Sequence, residues 1–126
     1  MNNSRINNIT GQIVDSAIRV HTELGPGLLE SAYEACLACE LRSRGVHVQQ
    51  QLLLPIQYRG VQIDAGYRLD LLVEDVVIVE LKAVETMHPI FEAQLLSYLK
   101  ISGKKVGLLI NFHVPLLKDG IKRMVV

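Results

Sequence analysis

GYRLDLLVEDVVIVELKAVETMHPIFEAQLLSYLK, residues 66–100, holds two apolar runs on either side of a Glu74-Asp75 turn signal. Both runs carry charges that an ordinary core strand excludes. Asp70 lies between Leu69 and Leu71, and Val76-Val77-Ile78-Val79 leads into Glu80-Leu81-Lys82. Strand side chains alternate faces, so Glu80 and Lys82 share one face while Val79 and Leu81 take the other. An antiparallel hairpin sets Asp70 beside Glu80 only across a three- or five-residue loop around residues 74–76; a two-residue loop puts Leu69 there instead. A bulged or longer loop is therefore expected. Two carboxylates and an ammonium then converge at one end of a buried sheet.

Working outward, Pro89 starts a helix that runs to about Ser102, with Gly103 as its cap, and residues 106–112 read as a final buried strand. His113-Val114-Pro115 ends that strand and leaves residues 116–124 as a short basic tail. Upstream, an Arg59-Gly60 turn separates two strands, residues 46–58 and 61–73, and residues 76–84 form a third. Before them, Ile6, Ile9, Ile13, Ala17 and Val20 recur at spacings of three and four, which predicts an amphipathic helix ending near Leu24. Gly25-Pro26-Gly27 breaks it. A second helix over residues 28–44 places Leu29, Ala32, Tyr33, Cys36, Leu37 and Leu41 on one stripe, and Gly45 fits its cap. The expected order is ααβββαβ: an α/β fold with a mixed central sheet flanked by helices.

Composition narrows the function classes. The 126 residues suffice for one domain spanning residues 1–126, without internal repeat or linker. No apolar run approaches the roughly 18 residues of a membrane span, and MNNSRINNIT lacks the apolar core of a secretory signal. Thirteen basic residues balance thirteen acidic ones. A protein gripping nucleic acid by bulk charge alone is thereby disfavoured, although a locally basic cleft is not. Cys36 and Cys39 form C-x-x-C within a helix, with neither a second cysteine pair nor His-x-x-x-His to complete a zinc site. They read as plain buried or half-buried helix cysteines in a reduced, cytoplasmic protein. His21 stands before a Gly-Pro-Gly turn and His88 before a proline. Both read as capping or surface residues and stay outside the candidate site.

Taken alone, Glu-x-Lys at a strand end describes any solvated terminus. Its weight comes from Asp70 on the neighbouring strand and from the following helix, where Gln94 and Tyr98 lie four apart and share a face. The chemistry that uses this set is metal-assisted phosphodiester hydrolysis. Mg²⁺ takes hard oxygen ligands, a few of them from protein and the rest from water and phosphate. Asp70 and Glu80 would hold the ion, and Lys82 would orient the attacking water or stabilise the developing oxyanion. Without metal, the two close carboxylates repel, which raises the pKa of one of them.

Asp70 and Glu80-Leu81-Lys82 in their strand–turn–strand context resemble the PD-(D/E)XK nuclease superfamily, whose core is αβββαβ. Gly27-Leu28-Leu29-Glu30-Ser31-Ala32-Tyr33 resembles the motif of the GxxExxY family, small bacterial and archaeal proteins of that superfamily. The resemblance extends from the first helix to Lys118-Asp119-Gly120. It implies that Glu30 completes the metal site with Asp70 and Glu80, around Mg²⁺ or Mn²⁺. It also implies that Gln94-x-x-x-Tyr98, similar to the motif of RecB-type nucleases, helps to place a DNA end, with Tyr33 as a further positioning residue. Leu69 stands where the superfamily's motif has proline, a position that varies. The four cysteines of the iron–sulfur branch are absent, so no cluster is expected. Read without the resemblance, Glu30 is an acid in a helix's first turn, where the macrodipole favours it, and Tyr33 packs on the sheet.

Two functions follow. The first is a Mg²⁺- or Mn²⁺-dependent DNA nuclease. The second is a catalytically weak nuclease-like module that binds nucleic acid or assembles with itself. A mean hydropathy of +0.25 in so small a chain suggests that another copy covers part of its surface. The first helix and residues 118–126, outside the minimal core, are the expected self-contacts. Charges converging on a buried sheet favour chemistry, since a scaffold has no use for them.

Overall fold

A computed structural model describes residues 3–126. Along the chain come α1 (Asn3–Leu24), α2 (Glu30–Ser43), β1 (Val48–Leu53), β2 (Ile56–Tyr58), β3 (Val61–Ile63), β4 (Arg68–Val73), β5 (Val77–Lys82), α3 (Pro89–Ser102), β6 (Val106–Asn111) and β7 (Ile121–Val125). Five strands make one sheet in the order β1-β4-β5-β6-β7. Only β5 and β6 run parallel; the other neighbours are antiparallel. The crossover between the parallel pair is α3, as a parallel connection requires. The result is the mixed α/β architecture expected, with helices on both faces.

α1 and α2 cover one face. Ile13, Ala17, Leu37 and Leu41 meet Leu71, Val77, Val79, Leu81, Leu108 and Ile110 in one apolar cluster. α3 covers the other, where Leu95, Tyr98 and Leu99 pack with Leu72, Ile78, Leu109 and Met124. His88 caps α3, its Nδ1 accepting from the Ile90 N–H, with Pro89 in the first turn and Gly103 left-handed at the end. Gly107 on β6 lets α3 settle close: a Cβ there would come within 2.9 Å of Leu95 Cδ1.

The loop joining β4 to β5 has three residues. Leu71 pairs with Val79 and Val73 with Val77, which leaves residues 74–76 as the connection. Glu74 and Asp75 take positive φ, 53° and 58°, an arrangement that acidic side chains tolerate better than most. That is the odd-numbered loop that sets Asp70 opposite Glu80.

Several expectations are corrected. The strand expected over residues 46–58 divides at Pro55, which has no N–H to donate. The strand expected over residues 61–73 divides at residues 64–67, where Asp64 Oδ1 accepts from the Gly66 N–H and turns the chain. The excised pieces, β2 and β3, form a separate two-stranded ribbon closed by Arg59-Gly60, both with positive φ as the tight hairpin turn demands. The basic tail is no tail: residues 117–120 make a 3-10 turn, and β7 adds a fifth strand alongside β6. Leu29 is 77% exposed rather than on the buried stripe, because α2 starts only at Glu30. Cys36 is half-buried, but Cys39 is exposed.

Candidate active site

Regular pairing between β4 and β5 stops at Leu71 and Val79. One residue further, side chains take over from the backbone. The Asp70 N–H donates to Glu80 Oε2 at 2.8 Å, and the Leu81 N–H donates to Asp70 Oδ2 at 2.9 Å. The β1–β4 ladder is interrupted at the same level, between the pairs Gln50–Leu71 and Leu52–Leu69. There Gln51 turns to a φ of 51°, and its amide donates to Glu34 Oε1 at 2.6 Å and to Asp70 Oδ1 at 3.3 Å. The sheet thus opens on both sides of Asp70. Leu69 packs in the α3 cluster and Leu71 in the α1–α2 cluster, although two residues apart on one strand. Simple alternation therefore fails at Asp70, and the carboxylate sits in the break.

The three candidate acids step from interior to surface. Glu80 is 6% exposed, Asp70 is half-buried and Glu30, at the start of α2, is exposed. Burial pushes the Glu80 carboxyl up to about 8, and the Asp70 charge adds to it; the Asp70 N–H bond and Lys82 pull the other way. Glu30 is also raised, chiefly by partial burial, with Lys82 opposing and Asp70 and Glu34 adding. The Lys82 ammonium does not answer these charges directly. It lies over the Phe91 ring, 4.6 Å from the centroid, and forms no ion pair within 4.0 Å among the described residues. A lysine merely paired with Glu80 at a solvated strand end is therefore not what this fold holds.

Gln94 and Tyr98, on α3, reach the same region. Tyr98 is buried, and its hydroxyl pKa is raised by burial first, then by Glu80, Tyr67 and Asp70, against an opposing hydrogen bond from Gln94. Tyr33 does not reach a substrate surface. It is fully buried, stacked on Phe112 at 4.4 Å, and its hydroxyl donates to Gly25 O and accepts from the Leu28 N–H. Its hydroxyl ties together the 25–28 turn that precedes Glu30. His88 is a cap, and His21 is buried with Nε2 2.8 Å from Val114 O.

Three supporting residues escaped the sequence reading. Gln51 and Glu34 brace Asp70; the polar run Gln49-Gln50-Gln51 in a strand and the i, i+4 spacing of Glu30 and Glu34 were the available signals. Asn111, 2% exposed at the end of β6, clamps the segment after Lys82. Its Oδ1 accepts from the Val84 and His113 N–H groups, and its Nδ2 donates to Val84 O. Nothing in the sequence marks it beyond a polar residue closing an apolar strand.

The donor set fits a hard divalent cation. Each of Asp70 and Glu80 accepts one backbone N–H, and burial together with the Asp70 charge disfavours ionisation of Glu80, a cost that a cation would offset. Among the described residues no group of three or more His, Cys, Asp or Glu side chains stands close enough to cage an ion. Glu30 therefore feels Asp70 without joining it.

A comparison with protein families matches the PD-(D/E)XK nuclease superfamily over residues 7–124. The chain belongs to the PD-(D/E)XK nuclease superfamily. Neither the comparison with curated proteins nor that with solved structures returned a match. The match reaches from α1 into β7, so the fifth strand lies within the superfamily region. PD-(D/E)XK nucleases are generally dependent on divalent metal, in keeping with the oxygen donors described above. Among the described residues no helix is long and apolar enough to cross a membrane.

Proposed function

We propose that this PD-(D/E)XK protein is a Mg²⁺- or Mn²⁺-dependent nuclease that hydrolyses phosphodiester bonds in DNA, and that it belongs to the GxxExxY group. The observation that carries the reading is the pair of bonds by which Glu80 accepts from the Asp70 N–H and Asp70 from the Leu81 N–H, with the Lys82 ammonium on Phe91 and in no ion pair among the described residues. Asp70 and Glu80 would hold the cation, and Glu30 would complete its shell by a side-chain movement from the surface. When bound, such an ion neutralises charge on the scissile phosphate and lowers the pKa of a coordinated water. Lys82 presents its ammonium to the oxygen that gains charge. Phe91 keeps that ammonium in place without cancelling it, because a ring face offers no formal charge. Tyr98 and Gln94 position the nucleic acid from α3.

Asp70→Asn tests the reading. It keeps the size of the side chain and an acceptor oxygen while removing the charge, so Mn²⁺ binding should weaken sharply and cleavage should fall by orders of magnitude. A purified variant that cuts DNA at the wild-type rate with the same metal dependence refutes the assigned site. Self-association belongs to the same proposal: Leu116, Val125 and Val126 are exposed around β7, whose outer edge is unpaired. Light scattering reads it, and a 14.1 kDa species alone at micromolar concentration removes it.

A further inference from the structure

Beside the carboxylates lies a groove of about 590 Å³ between α3 and the β2–β3 ribbon, a volume typical of small-molecule sites. Its walls include Tyr67, Phe91, Gln94, Ser97 and Tyr98, with Ile56 from the ribbon. The Tyr67 and Tyr98 rings stand 5.9 Å apart and tilted by 58°, offering faces rather than one flat stack. Tyr67 keeps 41% of its surface exposed.

The groove shares wall residues with the candidate active site. Phe91, which lines it, carries the Lys82 ammonium on its ring. Tyr98, which also lines it, lies in the field of Glu80 and Asp70. A molecule whose phosphate reached Lys82 would therefore set its next chemical group against these rings. The ribbon and its flanks, residues 54–68, carry Arg59 and Arg68 against one acid, Asp64. The polar groups in the walls are an amide and hydroxyls, which suit the donor and acceptor edge of a heterocycle.

We infer that this groove is a nucleobase subsite that takes an unpaired base next to the scissile phosphate, which makes single-stranded DNA, overhangs and flaps the substrate class. The inference rests on the nuclease reading above and adds the substrate class to it. A base paired and stacked in a duplex has neither face free, so entry requires a nucleotide already out of the stack. Aromatic faces accept every base, so recognition is structural rather than sequence-specific.

The test uses the full chain in EDTA with a single-stranded oligonucleotide carrying 2-aminopurine, whose fluorescence is quenched by stacking. Wild type should quench it, and Tyr67→Ala and Ser97→Trp should each lose most of that quenching. Ser97 is exposed on α3, so the indole can plug the groove without entering the core. With Mn²⁺, wild type should cut the single strand at least 10-fold faster than a blunt duplex of the same sequence. Both variants should raise KM for the single strand by about 10-fold or more. Quenching without cleavage of any DNA supports the subsite while the nuclease reading fails. Cleavage without quenching, or with duplex preferred, overturns the subsite while the nuclease reading stands. If wild type does not quench and Ser97→Trp breaks an oligomer in light scattering, the groove is a self-contact and the inference is wrong.

Discussion

Asp70 and Glu80 are locked to each other's strands: Glu80 Oε2 accepts from the Asp70 N–H, and Asp70 Oδ2 accepts from the Leu81 N–H. Neighbouring strands ordinarily bond through backbone alone. Here two carboxylates stand in for backbone carbonyls where the ladder ends, so the acids are part of the sheet and cannot swing away from each other. Their proximity is therefore built in, and the Asp70 charge adds to the burial that pushes the Glu80 carboxyl up.

The first consequence is a pH dependence. The folded Glu80 carboxyl titrates near 8 and its ordinary value is 4.5, so the native state holds the proton more tightly than the unfolded chain. Stability is then fully present below pH 4.5 and is lost as pH rises towards 8, by at most about 1.4 kcal/mol per unit. Denaturant titrations in EDTA should show this decline, and Glu80→Gln should flatten it and exceed wild type at pH 8. Mn²⁺ should stabilise wild type more at pH 8 than at pH 6, because it competes with the proton. A metal-free wild type equally stable at pH 5 and pH 8 contradicts the buried, proton-holding Glu80.

Tyr33 separates a structural from a direct role. Tyr33→Phe keeps the stacking on Phe112 and removes the bonds to Gly25 O and the Leu28 N–H. Stability should drop by about 1–2 kcal/mol. Metal affinity should weaken through the misplaced turn before Glu30, while KM for DNA stays near wild type. A raised KM at unchanged stability would mean that Tyr33 touches substrate after all.

How much of this was legible depends on what each residue advertises. That the loop has three or five residues followed from the requirement that Asp70 meet Glu80, and α3 from the Pro89 start and Gly103 stop. Pro55 and Asp64-Ala65-Gly66 were visible as breakers, yet the apolar residues around them concealed that β2 and β3 leave the sheet. β7 hid because Ile121-Lys122-Arg123-Met124-Val125 is short and charged, as edge strands are. Gln51 and Asn111 could not be weighted from sequence, since their meaning lies in their partners: Asp70 on β4 for the first, and Val84 and His113 in the loops after β5 and β6 for the second.

Asn111 yields the next prediction. Asn111→Leu leaves the Val84 and His113 N–H groups and Val84 O without partners in a buried position. The cost should be about 2–3 kcal/mol in denaturant titrations. The end of β5 should loosen, and kcat should fall more than metal affinity, because Lys82 is the nearest functional group to the lost clamp. A variant as stable as wild type shows that the clamp is dispensable.

On the proposed reading, Lys82 serves the reaction while Asp70 and Glu80 serve the cation. Calorimetric titration of Mn²⁺ into Lys82→Ala and Glu80→Gln, with single-turnover cleavage alongside, tests that division most directly. Lys82→Ala should bind Mn²⁺ as well as wild type or better, since a positive charge has gone, and should cut about 10²-fold more slowly or worse. Glu80→Gln should lose both binding and cleavage. Equal loss of metal binding in the two variants, or a Lys82→Ala protein that cleaves at the wild-type rate, contradicts it.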